Sequence, residues 1–449
     1  MSQKQARRDF INTMSVTGIA LSLGLPKIIA AKTENDKPAI LGGSKGHPGN
    51  FTSWPLFDKT EEDALQNVLK SKKWGRLDGG VMADFEKQYQ QLMGAKHALG
   101  VSSGTAALYT MLGALDIGPG DEVIIPVYTF IATYNVVVLN YALPIFADTD
   151  MESFQIDANK VASKITAQTK VIIPVHIGGS PADIDTLLKV ASVAKIPMIE
   201  DACQAHMAEW RGKKIGTYGL GGAFSFQSSK NLNCAEGGAI ITNDDDFATT
   251  CYTFHNQGQG GKSTAYNPGV GTRGTNLRLT EFQGSLLLAQ MTRVTAQTKR
   301  RNENATYLTK LLKEIPGISP ATLYQGTTAS AYHLYMFRYN KEQFAGLSRE
   351  KFLQALSAEG VPCSAGYGKI NKGSYVTDLA KNKHYLKIYG EKTMQEWLER
   401  NECPVNDVLT TEHAVWFFQN MLLGTKTDME QMATSIKKIQ KHAAAIAAI

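Results

Sequence analysis

Between residues 98 and 200 short apolar runs alternate with helical patterns, and nothing else in the chain limits its possible folds as severely. The runs are Ala98-Leu99-Gly100-Val101, Glu122-Val123-Ile124-Ile125-Pro126, Pro144-Ile145-Phe146-Ala147, Val171-Ile172-Ile173-Pro174-Val175 and Pro197-Met198-Ile199-Glu200. Helical spacing fills the intervals from about Gly104 to Leu115, Phe130 to Asn140 and Ala182 to Ala194. Strands this uniformly apolar are buried on both faces, and their separation by helices of roughly 10–15 residues predicts βαβ units around a mainly parallel sheet. The fold class is therefore α/β. A chain of 449 residues with 43% hydrophobic and 20% charged residues can bury such a sheet under two helical layers, and disordered, collagenous or coiled-coil architectures are excluded.

Ahead of the alternation, Ala64, Leu65, Val68 and Leu69 recur at helical spacing between Thr60 and Trp74, with Glu61, Glu62 and Asp63 in the first turn, where the helix dipole favours acids. After about Arg301 the character changes. Long helical stretches (Asn302 to Glu314, Ser348 to Glu359, Thr427 onward) surround a strand-like Leu334-Tyr335-Met336-Phe337-Arg338-Tyr339. The expected division is a large α/β domain over 51–300 and a smaller C-terminal α+β domain over 301–449.

The first 31 residues read differently. A polar start carries Arg7-Arg8-Asp9-Phe10-Ile11, an uncharged stretch runs from Met14 to Pro26, and small residues close it at Ala30-Ala31. This resembles a twin-arginine export signal, so an exported protein is expected, with a cytoplasmic one as the alternative. The apolar part is shorter than the ~20 residues a bilayer needs and is broken by Gly18, Gly24 and Pro26. Residues 32–50 read as linker. Lys4, Arg7, Arg8 and Lys27 against Asp9 account for half of the net charge of +6. The remainder is too small and scattered for a nucleic-acid surface. The five cysteines, Cys203, Cys234, Cys251, Cys363 and Cys403, form no CxxC pair, so neither a disulfide framework nor a metal site is expected.

In open α/β sheets ligands bind beyond the carboxyl ends of the strands, which directs attention to four places. Ser102-Ser103-Gly104-Thr105-Ala106-Ala107 carries a strand into a helix through small hydroxyl residues, and the helix N-terminus is a phosphate site or simply a capped turn. Asp201, in Glu200-Asp201-Ala202-Cys203-Gln204-Ala205-His206, is placed to hold a protonated heteroaromatic nitrogen or to cap a helix. Lys230 lies just past Phe224-Ser225-Phe226, among small polar residues and ahead of Glu236-Gly237-Gly238; it is suited to imine chemistry if desolvated, and to the surface otherwise. Phe130, in Thr129-Phe130-Ile131-Ala132-Thr133, either stacks on a flat ligand or fills the core.

Phosphate turn, aromatic platform, acid after a strand and lysine about thirty residues later together describe a pyridoxal phosphate site. With Ser103-Gly104-Thr105-Ala106-Ala107-Leu108, Gly118-Pro119-Gly120-Asp121-Glu122-Val123, Glu200-Asp201-Ala202, Phe224-Ser225-Phe226 and Lys230-Asn231-Leu232, the chain resembles the DegT/StrS family of sugar aminotransferases, of the aspartate-aminotransferase-like fold type I, from roughly Pro55 to Lys438. The resemblance implies that Lys230 carries the cofactor as a Schiff base and shuttles a proton. It implies that Asp201 keeps the pyridine nitrogen protonated, that Gly104, Thr105 and Ser225 hold the phosphate, that Phe130 stacks on the ring, and that Gln204 lies near the phenolic oxygen. Asn276, in Gly274-Thr275-Asn276-Leu277-Arg278, matches a position that reaches the phosphate of a neighbouring subunit, which implies a homodimer with shared sites. The implied reaction moves an amino group from glutamate or glutamine to a keto sugar or keto cyclitol. His255-Asn256-Gln257-Gly258 departs from the Arg-Asn-His-Gly common in the family. Trp54-Pro55-Leu56-Phe57-Asp58 and Ala414-Val415-Trp416-Phe417-Phe418-Gln419 look closer to the inosose branch than to nucleotide-sugar enzymes. The alternative from another class is an exported, cofactor-bearing binding or sensory protein without turnover.

Overall fold

The structure, a computed structural model, describes residues 36–260 and 273–449. The export-signal segment 1–31 lies outside the described residues.

Strands β1 (His97–Val101), β2 (Glu122–Pro126), β3 (Leu143–Ala147), β4 (Thr169–Ile172) and β5 (Ile199–Asp201) follow the apolar runs of the sequence. A short hairpin, β6 (Glu209–Trp210) and β7 (Lys213–Lys214), precedes β8 (Gly221–Ser225) and β9 (Gly238–Thr242). Two sets, β3-β2-β4 and β1-β9-β8-β5, are joined by parallel bridges at Ile172–Met198 and Val175–Asp201 into one layer ordered β3-β2-β4-β5-β8-β9-β1. Only β9 runs against its neighbours. Its connection to β8, residues 226–237, is direct and carries no crossover helix, so an antiparallel return is the only pairing open to it.

That return determines where the chemistry can assemble. Val101 and Ser225, the last residues of β1 and β8, both pair with Gly238, the first residue of β9. Asp201 ends β5 beside β8. The carboxyl ends of β1, β5 and β8 and the 226–237 connection thus share one edge of the sheet.

The helix Glu281–Lys313, opened by a Thr280/Gln283 capping box, spans 33 residues, and the stretch that reads as a separate helix from Asn302 is its distal end. Leu287 and Val294 pack in the large core, whereas Ala305, Leu308 and Leu312 pack in a second core. This second core lies around the antiparallel sheet of β10 (Ile318–Pro320), β12 (Leu334–Tyr339) and β13 (Ala414–Phe418); β11 (Thr327–Ala329) pairs instead with β6.

Two segments sit otherwise than their sequence suggests. The described part of the expected linker is docked: the buried Glu359 carboxylate accepts from the backbone of Ala39 (2.7 Å) and Gly46 (2.6 Å) and pairs with Lys438 at 2.6 Å. Residues 370–403, expected in the C-terminal domain, place Ile370, Leu379, Tyr385 and Trp397 in the large core. There they cover β3, an edge strand whose free backbone groups need partners. Asn401 Oδ1 accepts from Phe146 N (2.7 Å), and Trp397 Nε1 donates to the Pro144 carbonyl (2.8 Å).

Candidate active site

At the shared edge lies a cavity of about 520 Å³, onto which Gly104, Thr105, Phe130, Asp201, Gln204, Ser225 and Lys230 all open. Gly104 begins the helix Gly104–Ala114, whose N-cap Ser103 accepts from Ala106 N at 3.0 Å. A Cβ at Gly104 would stand 2.7 Å from Ser225 Cβ and 2.8 Å from Cys203 Sγ, so only glycine lets the helix end press this close to β8 and β5. Gly238 is equally confined, since a Cβ there would strike the Ser103 carbonyl and the Gly104 nitrogen. The result is a concave end with Gly104, Thr105 and the Ser225 hydroxyl around it.

Adjacent residues of β5 divide their work because strand side chains alternate. Glu200 points away from the cavity, where His176 Nε2 donates to it at 3.1 Å and the amides of Gly216, Tyr218 and Gly219 donate at 2.7–2.8 Å. Asp201 faces the cavity. Its Oδ2 accepts from the Thr133 hydroxyl (2.9 Å) and its Oδ1 from Cys203 N (3.2 Å). Thr133 spends its proton on Asp201, so the Thr129 hydroxyl, 2.9 Å away, donates to Thr133.

Lys230 stands on the 226–237 connection, which is tied to itself by Phe226 N to Gly237 O (2.8 Å), Ser228 N to Ala235 O (2.8 Å) and Cys234 N to Phe226 O (2.9 Å). Trp54 Nε1 fastens it from outside by donating to Ser228 O at 3.0 Å. Burial holds the Lys230 amine below the ordinary lysine range, against the opposing pull of Cys203 and Asp201. Beneath the site His206 donates from Nε2 to the Ser225 carbonyl (2.7 Å), leaving Nδ1 to accept from Tyr89 at 3.3 Å, and burial drives its pKa to about 4.

Phe130 is 57% exposed, an aromatic face on the cavity and not a core residue. Gln204 is held at both ends of its amide: Oε1 accepts from Gly178 N (2.8 Å), and Nε2 donates to the Tyr367 hydroxyl (2.8 Å). Tyr367 stands edge-on to Trp416 and Tyr128, with ring centroids 4.6 and 5.5 Å away. Asn276 is not on the cavity of its own chain. Its backbone bridges to Asn256, and its Oδ1 accepts from Arg278 N at 3.3 Å.

His333 is a cavity residue that the sequence did not single out. Asn231 Nδ2 donates to Ala331 O (2.6 Å), so Asn231 Oδ1 is the acceptor for His333 Nδ1–H at 3.3 Å, and the Nε2 lone pair remains. Burial is the chief cause that holds this imidazole neutral. A lone histidine before an apolar strand carries no sequence signal of such a place.

A buried-amine lysine, a hydrogen-bonded carboxylate and a glycine-opened helix end on one edge of this sheet define the architecture of the fold type I, pyridoxal-phosphate-dependent aminotransferases. Residues 55–415 match the DegT/DnrJ/EryC1/StrS aminotransferase family, and the chain belongs to it. It is 33% identical over 421 residues to the L-glutamine:2-deoxy-scyllo-inosose aminotransferase of Streptoalloteichus tenebrarius, covering 90% of this chain and 98% of that one. Against the 3-amino-5-hydroxybenzoate synthase of Amycolatopsis mediterranei the identity is 30% over 391 residues, covering 86% and 96%. A crystal structure of 3-amino-5-hydroxybenzoic acid synthase superposes with a TM-score of 0.77 at 30% identity, covering 87% of this chain and 99% of that one. The chain is thus an aminotransferase.

Proposed function

We propose that the cofactor is pyridoxal phosphate and that the enzyme moves the amino group of glutamine or glutamate to a keto cyclitol. One observation carries this reading: the Lys230 amine, the Asp201 carboxylate and the Gly104 helix end open on the same cavity. The residues fit the group on chemical grounds. The collision a Cβ at Gly104 would cause marks a concave end suited to a phosphate, and an anion there meets backbone N–H groups and the helix dipole. The carboxylate that Thr133 and Cys203 hold in place suits a protonated pyridine nitrogen.

Bound there, the cofactor supplies an electron sink for the carbon that loses its proton. Asp201 stabilises the positive charge on the ring nitrogen, and the Thr129–Thr133 relay keeps its carboxylate oriented. Burial leaves a larger share of Lys230 unprotonated at neutral pH than for a surface lysine, so its Nζ accepts and returns the migrating proton. Gln204 and Tyr367 together fix donors at the cavity wall. The acceptor class and the choice of donor rest on the likeness to the L-glutamine:2-deoxy-scyllo-inosose aminotransferase.

Asn276, which is not among the residues lining its own chain's cavity, supports a homodimer in which it completes the partner's phosphate site. The Arg7-Arg8 segment supports export by the twin-arginine route, which fractionation of cells expressing the Arg7→Lys/Arg8→Lys variant tests. The enzyme reading is tested by the visible spectrum of the purified protein beside Lys230→Ala. Borohydride is expected to fix the cofactor covalently only when Lys230 is present, and L-glutamine to bleach the band. A wild-type protein that takes up no pyridoxal phosphate would overturn the reading.

A further inference from the structure

The stretches at 54–58 and 414–419, whose sequence resembles the inosose branch, meet in space although neither lines the main cavity. Their meeting point is Arg301, on the helix Glu281–Lys313 between the part that packs in the large core and the part that packs in the second. This guanidinium is fully buried, and no acid pairs with it among the described residues. Its Nε (3.1 Å) and Nη2 donate to the Gln419 side-chain oxygen, its Nη1 has no partner, and it lies over the Trp54 ring at 5.3 Å. Burial pushes its pKa down to about 9, so it stays charged at neutral pH. A buried charge without a counter-ion is costly, and a hydrocarbon of similar volume would avoid that cost. Its use lies in the indole: a cation over the ring face draws electron density from it and makes Nε1–H a stronger donor.

That donor reaches the connection that carries Lys230. Among the described residues, Trp54 Nε1 gives residues 227–230 their single hydrogen bond from beyond β8 and the connection itself, to Ser228 O at 3.0 Å. On the other side Asn231 is anchored by its bond to Ala331 O, so Lys230 stands between two fixed points. Trp54 is held before and behind: Asn420 Nδ2 donates to Thr52 O and Gln290 Nε2 to Leu56 O, both at 2.7 Å. Gln419 and Asn420 directly follow β13, whose Trp416 donates to the Tyr128 hydroxyl at 2.9 Å and stands against Tyr367 of the cavity wall. One strand end therefore fixes both the wall and the support of the lysine connection.

We propose that Trp54, polarised by Arg301, is a positioning residue for Lys230: it holds the Ser228 carbonyl so that the lysine backbone stays in place while the amine moves its proton. The inference rests on the transaminase reading above. The amine must come within reach both of the atom that loses the proton and of the atom that gains it, and a displacement of about 1 Å costs such a step about 100-fold.

The test compares wild type, Trp54→Phe, Arg301→Met and Arg301→Lys as holoenzymes in single-turnover reaction with L-glutamine and with α-deuterated L-glutamine. Amide hydrogen exchange, with and without cofactor, gives a readout apart from turnover. Phenylalanine keeps a ring under Arg301 and removes the donor. Trp54→Phe is expected to lower the limiting rate by about 10- to 100-fold, to leave the half-saturating glutamine concentration within about 2-fold, and to raise the deuterium effect on the rate. Faster exchange should be confined to the amides of residues 226–234. Arg301→Met should slow the reaction without lowering the melting temperature, and Arg301→Lys should recover part of the rate; this pair decides if Trp54→Phe does not fold. A Trp54→Phe enzyme with the wild-type limiting rate and deuterium effect overturns the inference. So does one in which rate, half-saturation and exchange protection throughout the large domain are lost together, and in both cases the transaminase reading stands. If wild type reacts with neither glutamine nor glutamate, the transaminase reading falls and takes this inference with it.

Discussion

Gly104→Ala sets two opposed effects against each other. In an ordinary helical position the change to alanine stabilises by about 1 kcal/mol. Here the added methyl would lie 2.7 Å from Ser225 Cβ and 2.8 Å from Cys203 Sγ, whereas carbon contacts are comfortable only at about 3.5–4 Å. Ser225 is buried, and Cys203 follows the Asp201 turn, so relief requires the helix end to withdraw by roughly 1 Å from β8. Overpacking of this kind costs about 1–3 kcal/mol, which leaves the cofactor-free protein nearly unchanged to about 2 kcal/mol less stable. The cofactor complex cannot use the same relief, because the helix end must stay in reach of the phosphate. The same 1–3 kcal/mol then appears as a loss of about 5- to 150-fold in pyridoxal phosphate affinity. Titration of the cofactor-free variant with pyridoxal phosphate and, separately, with pyridoxal measures this, with thermal melting as the control. The phosphate-bearing compound should suffer most of the loss. Equal losses for the two compounds, or none for either, would refute the assignment of this turn to a phosphate.

Three further outcomes are expected. Because burial lowers the pKa of His206 from 6.5 to about 4, the unfolded chain binds its proton first as pH falls, so stability present above pH 6.5 is lost down to about pH 4. The loss is roughly 3 kcal/mol from this residue, and a urea-unfolding series across that window should flatten in His206→Gln. Glu200→Ala leaves three backbone amides and His176 without their buried carboxylate, and should lower stability by about 3–5 kcal/mol in denaturant titration. Thr133→Val removes the hydroxyl donor to Asp201 at nearly constant volume and should slow the glutamine half-reaction by about 10- to 100-fold with little change in melting temperature.

Strand periodicity exposed the large sheet because its strands are buried on both faces; Glu122–Pro126 was legible to the residue. The helix Glu281–Lys313 was legible only in its distal part, since its apolar residues face two different cores in succession and no single stripe marks it. The docking of residues 36–50 and the covering of β3 by residues 370–403 were not legible at all. Both depend on contacts between residues far apart in sequence, among them Glu359 with the Gly46 amide and Asn401 with the Phe146 amide, over 250 residues away. Gly104, Asp201 and Lys230 could be singled out because each follows a strand. Thr133 lies in the 129–133 turn that draws notice for Phe130, but its bond to Asp201 is a tertiary contact. His333 reaches the cavity from just ahead of a strand beyond residue 301, where local pattern gives no warning.

Glu200 and Asp201 show why activity alone would misassign this site. Neighbours on one strand, they form a single acidic motif in the sequence, yet the pleat sends one carboxylate to the turn at 216–219 and the other to the cavity. Loss of either would abolish turnover. The two separate in the protein's other properties: without Glu200 the turn that precedes β8 loses its anchor, and with it the strand that leads to Lys230. Without Asp201 the cavity loses a charge, but β5 and β8 keep their backbone pairing. A melting curve beside a cofactor titration therefore distinguishes an acid that shapes the sheet from one that acts on the ligand, and Asp201→Ala should fail the titration while its fold holds.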